Sequence, residues 1–456
     1  MPPPTDTICA IATPPGSGGL GIVRMSGPAS AEIARQMAGR LPPPRYAQLA
    51  HFRDAAGEVI DSGIVLYFAA PHSFTGEDVV ELQAHGGLFI LQRLMQRALE
   101  LGARGARPGE FSERAFLNDK MDLVQAEAIA DLIESGTEAA ARAAQRSLQG
   151  VFSGRVQALQ KSLTALRVFV EAAIDFPDEE IDFLAESDVA DRVERVRGQL
   201  SALLHEARQG RLLRDGIVLA IVGPPNAGKS SLLNALSGQD SAIVTEIPGT
   251  TRDVLRELID LDGIPVHVAD TAGIRDTDDI IEAEGVRRAR QALESADLVV
   301  LVEDATLAGP GGRWAADIAL PARAKCLRVG NKIDLLAPGE LERLANQAGS
   351  ERVWISAKTG QGMDGLRQQV RNMVGADAGQ DGRASGGFSA RQRHIDALRR
   401  AEGCLEAGAK ALAERAAGEL LAEELRLAQQ ALGELTGEML PDDLLGEIFA
   451  SFCIGK

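Results

Sequence analysis

A continuous apolar run, Ile217 to Val222, is followed at once by the loop Gly223-Pro-Pro-Asn-Ala-Gly228-Lys229-Ser230. The run predicts a buried strand, and the loop matches the phosphate-binding pattern that joins a strand to a helix N-terminus. Glycines let the main chain approach phosphate oxygens, and the first N–H groups of a helix favour anions. Lys229 adds a positive charge for the outer phosphates, and the Ser230 hydroxyl can coordinate Mg²⁺. Short strands alternate with helices from residue 216 to about residue 375, which predicts a parallel α/β sheet around this loop.

The residues after the loop complete a predicted magnesium and switch region. An apolar run ends in Asp270-Thr271-Ala272-Gly273, whose aspartate can hold the magnesium shell and whose glycine N–H can meet a γ-phosphate. Before it, Pro248-Gly249-Thr250-Thr251-Arg252-Asp253 is typical of a switch loop with Thr251 as the magnesium-sensing threonine. Ile274 stands where a glutamine orients the attacking water in Ras-like GTPases, and no arginine is identifiable as a finger. We therefore expect slow hydrolysis in a monomer, with completion by a partner or a second copy.

Two further motifs predict which base is bound. Asn331-Lys332-Ile333-Asp334 follows a strand-like run and resembles the N-K-x-D element of GTPases. The Asp334 carboxylate can accept two hydrogen bonds from the guanine edge, whereas adenine presents no such pair of donors. Ser356-Ala357-Lys358 is typical of a supporting base-binding loop. The order and strand placement of these motifs predict GTP as the substrate and Mg²⁺ as a cofactor.

Changes of composition along the chain predict its organisation. Its 456 residues exceed what one ordinary hydrophobic core holds. The first part alternates strands and helices, whereas the segments before and after the α/β part have long-helix composition. The predicted fold class is α/β plus α: a P-loop GTPase G domain inserted into an all-helical domain and preceded by a small α+β N-terminal domain. The predicted ranges are 1–120 for the N-terminal domain, 121–214 and 377–456 for the two helical halves, and 215–376 for the G domain.

Charge and targeting signals narrow the class of protein. The net charge of −17 argues against a positively charged surface, so a nucleic-acid partner needs a local basic patch. Arg391, Arg393, Arg399 and Arg400 form one candidate patch, and a solvated helix face explains them equally well. The sequence shows neither a secretory signal nor an apolar run that could span a bilayer, and we expect a cytoplasmic protein without a membrane partner.

Motifs beyond the predicted G domain give the chain an end-to-end resemblance. They are Phe74-Thr-Gly-Glu-Asp78, the segment Arg107 to Lys120, Asp175-Phe-Pro-Asp-Glu-Glu-Ile-Asp182 and the terminal Phe452-Cys-Ile-Gly-Lys456. With these motifs the chain resembles the tRNA-modification GTPase family MnmE, also called TrmE. The resemblance implies an enzyme that acts in a hetero-oligomer with the FAD-dependent partner MnmG (GidA). Together they would add an aminomethyl or carboxymethylaminomethyl group to carbon 5 of the wobble uridine of certain tRNAs. A regulatory or ribosome-assembly GTPase that binds RNA without modifying it is the alternative.

The resemblance also implies a second ligand site. The N-terminal domain is expected to form a homodimer and to bind a tetrahydrofolate derivative (5-formyl- or methylene-tetrahydrofolate). The folate-contacting positions of the family match Arg24, Glu81, Lys120 and Lys456. A domain that only dimerises is the alternative. Cys453 matches the family's terminal cysteine, which is expected near the folate as a catalytic residue.

For hydrolysis, the resemblance implies potassium-dependent dimerisation of G domains in place of an arginine finger. The potassium ligands match Asn226, Thr245, Ile247 and Thr250, the magnesium ligands are Ser230 and Thr251, and Glu282 matches the residue that helps to place the attacking water. The complete set predicted to bind GTP is Asn226, Ala227, Gly228, Lys229, Ser230, Ser231, Thr245, Glu246, Ile247, Pro248, Gly249, Thr250, Thr251, Asp270, Thr271, Ala272, Gly273, Asn331, Lys332, Asp334, Ser356, Ala357 and Lys358.

Overall fold

The chain folds as two compact units. The computed structural model describes residues 6–175, 189–237, 256–270, 293–307, 324–348, 352–376, 387–415, 418–437, 442–452 and 454–455. The first unit comprises Met1–Ala130, Val156–Glu171 and Glu419–Lys456, and the second comprises Asp131–Arg155 and Ala172–Gly418. No helix within the described ranges is long and apolar enough to cross a membrane.

The centre of the first unit is a six-stranded sheet. Its strands are β1 (Ile8–Ile11), β2 (Gly18–Ser26), β3 (Gln48–Arg53), β4 (Val59–Phe68), β5 (Val79–Gly86) and β6 (Arg104–Gly105). They lie in the order β3-β4-β5-β2-β1-β6, and all neighbours are antiparallel except β1 and β6. Helices α1 (Ser30–Ala38) and α2 (Leu88–Glu100) cover one face, where Val23, Phe52 and Leu82 form a core with Met37 and Leu94. This arrangement follows from strands that alternate buried and outward side chains.

The other face of this sheet carries α3 (Glu110–Leu117) near β1. Phe111 of α3 packs on Ile8 and Ala10. The C-terminal helix α13 (Asp442–Ala450) contacts α3, with the rings of Phe116 and Phe449 centred 6.2 Å apart. Helix α13, near the C-terminal end of the sequence, therefore packs within the first unit.

Buried charges hold α3 in place. Arg114 is 1% exposed, and its guanidinium contacts the carboxylates of Glu110 at 3.2 Å, Glu77 at 3.1 Å and Asp6 at 2.7 Å. Arg104 contacts Glu110 at 2.6 Å. Burial alone would raise the pKa of Glu110, but hydrogen bonds from Arg104 and from a neighbouring main-chain N–H outweigh it and keep this pKa below its usual value. These groups compensate one another where a single buried ion would be costly.

The second unit contains a second six-stranded sheet. Its strands are β7 (Ile217–Val222), β8 (Arg256–Leu261), β9 (Ile264–Asp270), β10 (Leu298–Asp304), β11 (Lys325–Asn331) and β12 (Arg352–Trp354). They lie in the order β12-β11-β10-β7-β9-β8, and every pair is parallel except β8 with β9. Its core includes Leu219, Ile221, Val300 and Val329, together with residues of α8 (Lys229–Ser237) and α10 (Met363–Val374). The predicted parallel sheet around Ile217 to Val222 is confirmed.

The remaining helices make up the helical part of the chain, apart from α9, which belongs with the second sheet. Their bounds are α4 (Leu123–Glu134), α5 (Glu138–Leu148), α6 (Val151–Asp175), α7 (Val189–Asp215), α9 (Glu340–Ala348), α11 (Gln392–Arg415) and α12 (Gly418–Thr436). Single 3₁₀ turns follow β10 and β11, at Ala305–Leu307 and Ile333–Leu335. The compact units divide these helices differently from the predicted ranges 121–214 and 377–456, which stay predictions.

Helices α7 and α11 lie on either side of the α/β part in sequence and contact each other in the second unit. Gly210 of α7 lets the segment just before α11 approach closely, since a Cβ at Gly210 would lie 2.2 Å from the carbonyl oxygen of Phe388. The buried carboxylate of Asp131 accepts a hydrogen bond from Arg214 Nε at 2.7 Å and one from Arg391 at 2.7 Å. Arg214 lies just before β7, and Arg391 follows the α/β part. The chain thus leaves and rejoins its helical part at one place, the Asp131 junction, and the predicted fold class is confirmed.

Candidate functional site

The loop after β7 has the shape that a phosphate group requires. Asn226 adopts a left-handed backbone conformation (φ 63°), which asparagine tolerates better than most residues, and Gly228 follows at φ 92°. A Cβ at Gly228 would lie 2.2 Å from the Asn331 side chain, so only glycine fits there. Helix α8 begins at Lys229, with Ser230 and Ser231 exposed in its first turn. The helix thus begins directly after the loop that follows β7, the position at which helix N-termini bind anions.

The ammonium group of Lys229 lies over this loop. Its Nζ donates to the carbonyl oxygens of Gly223 at 2.9 Å and Pro224 at 3.0 Å. A phosphate oxygen placed above the loop lies within reach of the same ammonium. The hydroxyl of Ser230 supplies a hard oxygen at the start of the helix, which fits Mg²⁺.

Asn331 joins the phosphate loop to the base-binding loop. Its side chain is buried, and Nδ2 donates to the Ala227 carbonyl oxygen at 2.9 Å. Its Oδ1 accepts from the Ala357 N–H at 3.0 Å. The side-chain amide of Asn331 therefore sets the distance between the phosphate loop and the base-binding loop.

The Asp334 carboxylate stands exposed at the edge of this arrangement, on the 3₁₀ turn after β11. Its Oδ1 accepts a hydrogen bond of 2.6 Å from the hydroxyl of Ser356, which is fully buried. The Thr359 N–H in turn donates to that hydroxyl at 3.2 Å. Ser356 fixes the rotamer of the carboxylate and leaves its outer oxygen open to donors such as those of guanine. Lys358 is exposed on the same loop.

Sequence reasoning missed Asp304, the last residue of β10. Its Oδ2 lies 2.7 Å from Lys332 Nζ. Burial alone would raise the pKa of Asp304, but hydrogen bonds from Lys332 and Thr306 outweigh it and hold this pKa below its usual value. The signal in the sequence was the change from the apolar run 298–302 to two acidic residues, at the strand end where parallel sheets place ligands.

Several predicted site residues lie outside the described residues. These are Thr245, Glu246, Ile247, Pro248, Gly249, Thr250, Thr251, Thr271, Ala272, Gly273, Glu282, Cys453 and Lys456. Asp270 closes β9, and its Cα pairs with that of Ile221 in β7. The main chain of Asp270 therefore ends beside the strand that leads into the phosphate loop.

A second cluster lies on the sheet of the first unit. Arg24 and Glu81 are direct cross-strand neighbours in β2 and β5, and Arg24 Nε donates to Glu81 Oε1 at 2.9 Å. The guanidinium lies 5.9 Å from the ring centre of Phe74 and 5.8 Å from that of Phe111. Both charged side chains are mostly buried, at 23% and 14% exposure. A flat heterocycle with polar edges fits a site that combines a carboxylate, a guanidinium and aromatic rings.

The C-terminal tail reaches the same cluster. Arg24 donates to the Gly455 carbonyl oxygen at 3.3 Å. A Cβ at Gly455 would lie 2.5 Å from the carbonyl oxygen of Ile11, so the tail sits tightly against the end of β1. Lys120 is exposed, and its Nζ donates to the Pro71 carbonyl oxygen at 2.9 Å, in the loop that also carries Phe74. The structure thus brings together Arg24, Glu81 and the residue before Lys456, and it places Lys120 on a neighbouring loop.

Two arginines of the candidate basic patch, one just before α11 and one on it, are engaged in contacts within the protein. Arg391 is bound to Asp131 at the Asp131 junction. Arg399 lies 3.7 Å from Asp396 on the same helix. Arg391 is thus mostly buried and fits neither alternative, whereas Arg399 is exposed on α11 and fits the solvated helix face.

Comparison with known proteins matches nearly the whole chain to one family. The family model described as "GTP-binding protein TrmE N-terminus" matches residues 7–120, and the one described as "MnmE helical domain" matches residues 123–453. A protein of Alkalilimnicola ehrlichii named tRNA modification GTPase MnmE is 57% identical over 453 residues, which cover 99% of each chain. A protein of the same name from Pseudomonas paraeruginosa is 56% identical over 457 residues, again 99% of each chain. Among solved structures, Aquifex aeolicus Era bound to GDP.AlF4- is 28% identical, covers 41% of this chain and 66% of its own, and has a TM-score of 0.28.

Proposed function

This chain belongs to the MnmE family of tRNA modification GTPases and hydrolyses GTP, and from that premise we propose that it modifies carbon 5 of the wobble uridine of certain tRNAs. In this proposal it works with an FAD-dependent partner, MnmG, in a hetero-oligomer. The group added is aminomethyl or carboxymethylaminomethyl, and its one-carbon unit comes from a tetrahydrofolate derivative. The proposed localisation is the cytoplasm, and the proposed domains are 1–120, 121–214 with 377–456, and 215–376.

The observation that best supports binding of a guanine nucleotide is the hydrogen bond from the Ser356 hydroxyl to the Asp334 carboxylate. A carboxylate with one oxygen fixed by a buried hydroxyl presents the other oxygen in a set direction. Guanine offers two adjacent donors to such a group, whereas adenine would leave it unpaired, which discriminates strongly. Asn331 couples this pocket to the loop that carries Lys229. Base recognition and phosphate binding are thus parts of one connected site.

Hydrolysis is proposed to need two G domains and potassium. The described residues fit this ion in one respect: the amide of Asn226 projects from a left-handed, exposed position of the phosphate loop. Potassium, when bound, supplies the positive charge that an arginine finger otherwise brings. Thr245, Ile247 and Thr250 complete the proposed ligand set, and Glu282 places the attacking water. Ser230 and Thr251 are the proposed magnesium ligands.

Folate binding is proposed at the Arg24 and Glu81 pair. Glu81 uses Oε1 for Arg24, so its Oε2 can accept from the aminopyrimidine edge of a pterin. Lys120 and Lys456 are proposed to bind the glutamate tail. Cys453 lies two residues before Gly455, whose carbonyl oxygen contacts Arg24, which supports its proposed role near the folate.

Homodimerisation is proposed through the first unit. Leu49 and Ile64 face each other across β3 and β4, and they are 71% and 38% exposed. Apolar side chains paired on an open sheet face are typical of an interaction surface. A second copy of the chain is the proposed occupant.

The decisive experiment is mass spectrometry of wobble nucleosides from a deletion strain complemented with variants. We expect the deletion strain to lack the modified uridine and the wild-type chain to restore it. Cys453→Ser should fail to restore it, whereas Cys404→Ser, a change in the middle of α11, should restore it. If the deletion strain instead kept the modified uridine at the wild-type level, the chain would be a GTPase that binds RNA without modifying it.

Turnover of GTP in potassium and in sodium at equal ionic strength tests the ion separately, and equal rates would exclude the potassium proposal.

A further inference from the structure

Asp304 is held rigidly at the carboxyl end of β10. Its Oδ1 accepts from the Thr306 N–H at 2.9 Å and from the Thr306 hydroxyl at 2.7 Å. Its Oδ2 accepts from Lys332 Nζ at 2.7 Å. Both oxygens are therefore used, and the carboxylate is 13% exposed. The lowered pKa of Asp304 keeps it ionised at neutral pH, so it binds the ammonium as a charge as well as an acceptor.

The position of β10 in the sheet decides what this contact can do. The order β12-β11-β10-β7 puts β10 between the strand that carries the phosphate loop and the strands that carry Asp334 and Ser356. A nucleotide with its phosphates over the loop after β7 and its base at Asp334 must cross the end of β10. Lys332 directly follows β11, and its ammonium group donates to the carboxylate of Asp304 at the end of β10. The four-carbon stem of Lys332 thus lies across the path of the nucleotide.

A lysine side chain whose ammonium group has no partner samples many rotamers and does not stay across a binding site. A lysine stem loses about 2 kcal/mol of rotamer entropy when it is fixed. Here the backbone of Lys332 is left-handed at φ 68°, and the tip is bound by Asp304. The cost of ordering the stem is therefore met before a ligand arrives, as in other preorganised sites.

We propose that Asp304 is a positioning residue for guanine nucleotides: it fixes the Lys332 stem as an apolar wall against which the base and ribose pack. Asp304 itself does not contact the ligand. This inference rests on the guanine site proposed above. It predicts that nucleotide affinity depends on Asp304 only while Lys332 is present.

The test is a double-mutant cycle on the full chain, with a fluorescent GDP derivative as the probe. Asp304→Ala should raise Kd about tenfold, mainly through faster dissociation, since the stem must then be ordered on binding. Lys332→Ala should weaken binding at least as much, and the double variant should bind no more weakly than Lys332→Ala alone. Asp364→Ala, at an exposed aspartate in the first turn of α10, serves as the matched control and should bind like wild type.

Base specificity separates positioning from recognition. Because a stem wall does not read base edges, Asp304→Ala should weaken GTP and inosine triphosphate by the same factor. Two milder variants cover a failure of Asp304→Ala to fold: Asp304→Asn and Thr306→Val should each give a smaller loss in the same direction. Additive losses in the double variant, or Kd values within twofold of wild type for all three, would overturn the inference.

The two proposals fail in different ways. If wild-type protein shows no preference for guanine over adenine nucleotides, the guanine site itself is wrong and this inference falls with it. If wild type prefers guanine and Lys332→Ala weakens binding while Asp304→Ala does not, only the role of Asp304 is wrong.

Discussion

Replacing Asn331 by alanine removes a side chain that ties the phosphate loop to the base-binding loop. The change leaves the Ala227 carbonyl oxygen and the Ala357 N–H without the partners that Asn331 supplies at 2.9 and 3.0 Å. A buried polar group that loses its partner costs about 1–3 kcal/mol. Water can reach the half-buried Ala357, so we take a total of about 2–4 kcal/mol, or about 30- to 700-fold in an equilibrium constant. In the nucleotide-free protein the two loops can separate and hydrate these groups, so we expect the cost to appear as weaker binding.

The assay is equilibrium titration of the full chain with a fluorescent GDP derivative at saturating magnesium. Asn331→Ala should raise Kd at least about 30-fold. Asn331→Asp should be weaker still, because its second oxygen would face the Ala227 carbonyl oxygen where a donor now lies. Asn372→Ala, at an exposed asparagine on α10, is the matched control. A Kd within threefold of wild type for Asn331→Ala would refute the view that one amide couples the two loops.

Three further predictions concern other parts of the chain. Asp334→Asn should weaken GTP far more than xanthosine triphosphate, whose altered edge suits an amide; competition binding measures this, and an unchanged preference would contradict the assignment. Glu110 has a lowered pKa in the folded chain, so its stabilising contribution is present above its unfolded pKa of about 4.3 and is lost as the pH falls below that value. Glu110→Gln should therefore lower the urea midpoint of unfolding at pH 7 and make this midpoint depend less on pH between about 5 and 3. A midpoint that falls as steeply with decreasing pH in the variant as in wild type would exclude this. Asp131→Asn should destabilise the chain by about 3 kcal/mol because two arginines lose a buried counter-charge. Circular dichroism in urea checks this, with the exposed Asp396→Asn as the control, and equal midpoints for the two variants would contradict it.

Local signals predicted the strand and the loop positions around the proposed nucleotide site, whereas the binding role of these residues stays a prediction. Residues Ile217–Val222 form β7 with the predicted bounds, because a strand buried in a parallel sheet reads as a continuous apolar run. The loop Gly223 to Ser230 and the motif Asn331 to Asp334 each encode their own backbone geometry over a few residues. Their positions relative to one another followed from a general rule, since parallel strands end at the same edge of a sheet.

Contacts between distant residues could not be predicted in the same way. Asp304 binds Lys332 only because β10 and β11 are neighbours in a register that pairs Asp304 with Asn331. Asp131 meets Arg214 and Arg391 across 83 and 260 residues of chain, and no spacing rule reaches so far. The pairing of Arg24 with Glu81 was implied by family resemblance, whereas its physical basis is a strand register that the sequence pattern leaves open.

The Asp131 junction bears on how such a chain could have been assembled. The helical segments on either side of the α/β part meet at one carboxylate, and Gln209 of α7 also donates to the Gly375 carbonyl oxygen at 2.7 Å, just after α10. Closing a loop costs entropy that grows only slowly with its length, by about 0.6 kcal/mol for each doubling. A module whose ends lie together adds little to that cost, so an ancestral helical protein could have accepted it in a surface turn without losing its fold. By the same reasoning, replacing the module with a short glycine-rich turn should leave the host helices able to pair.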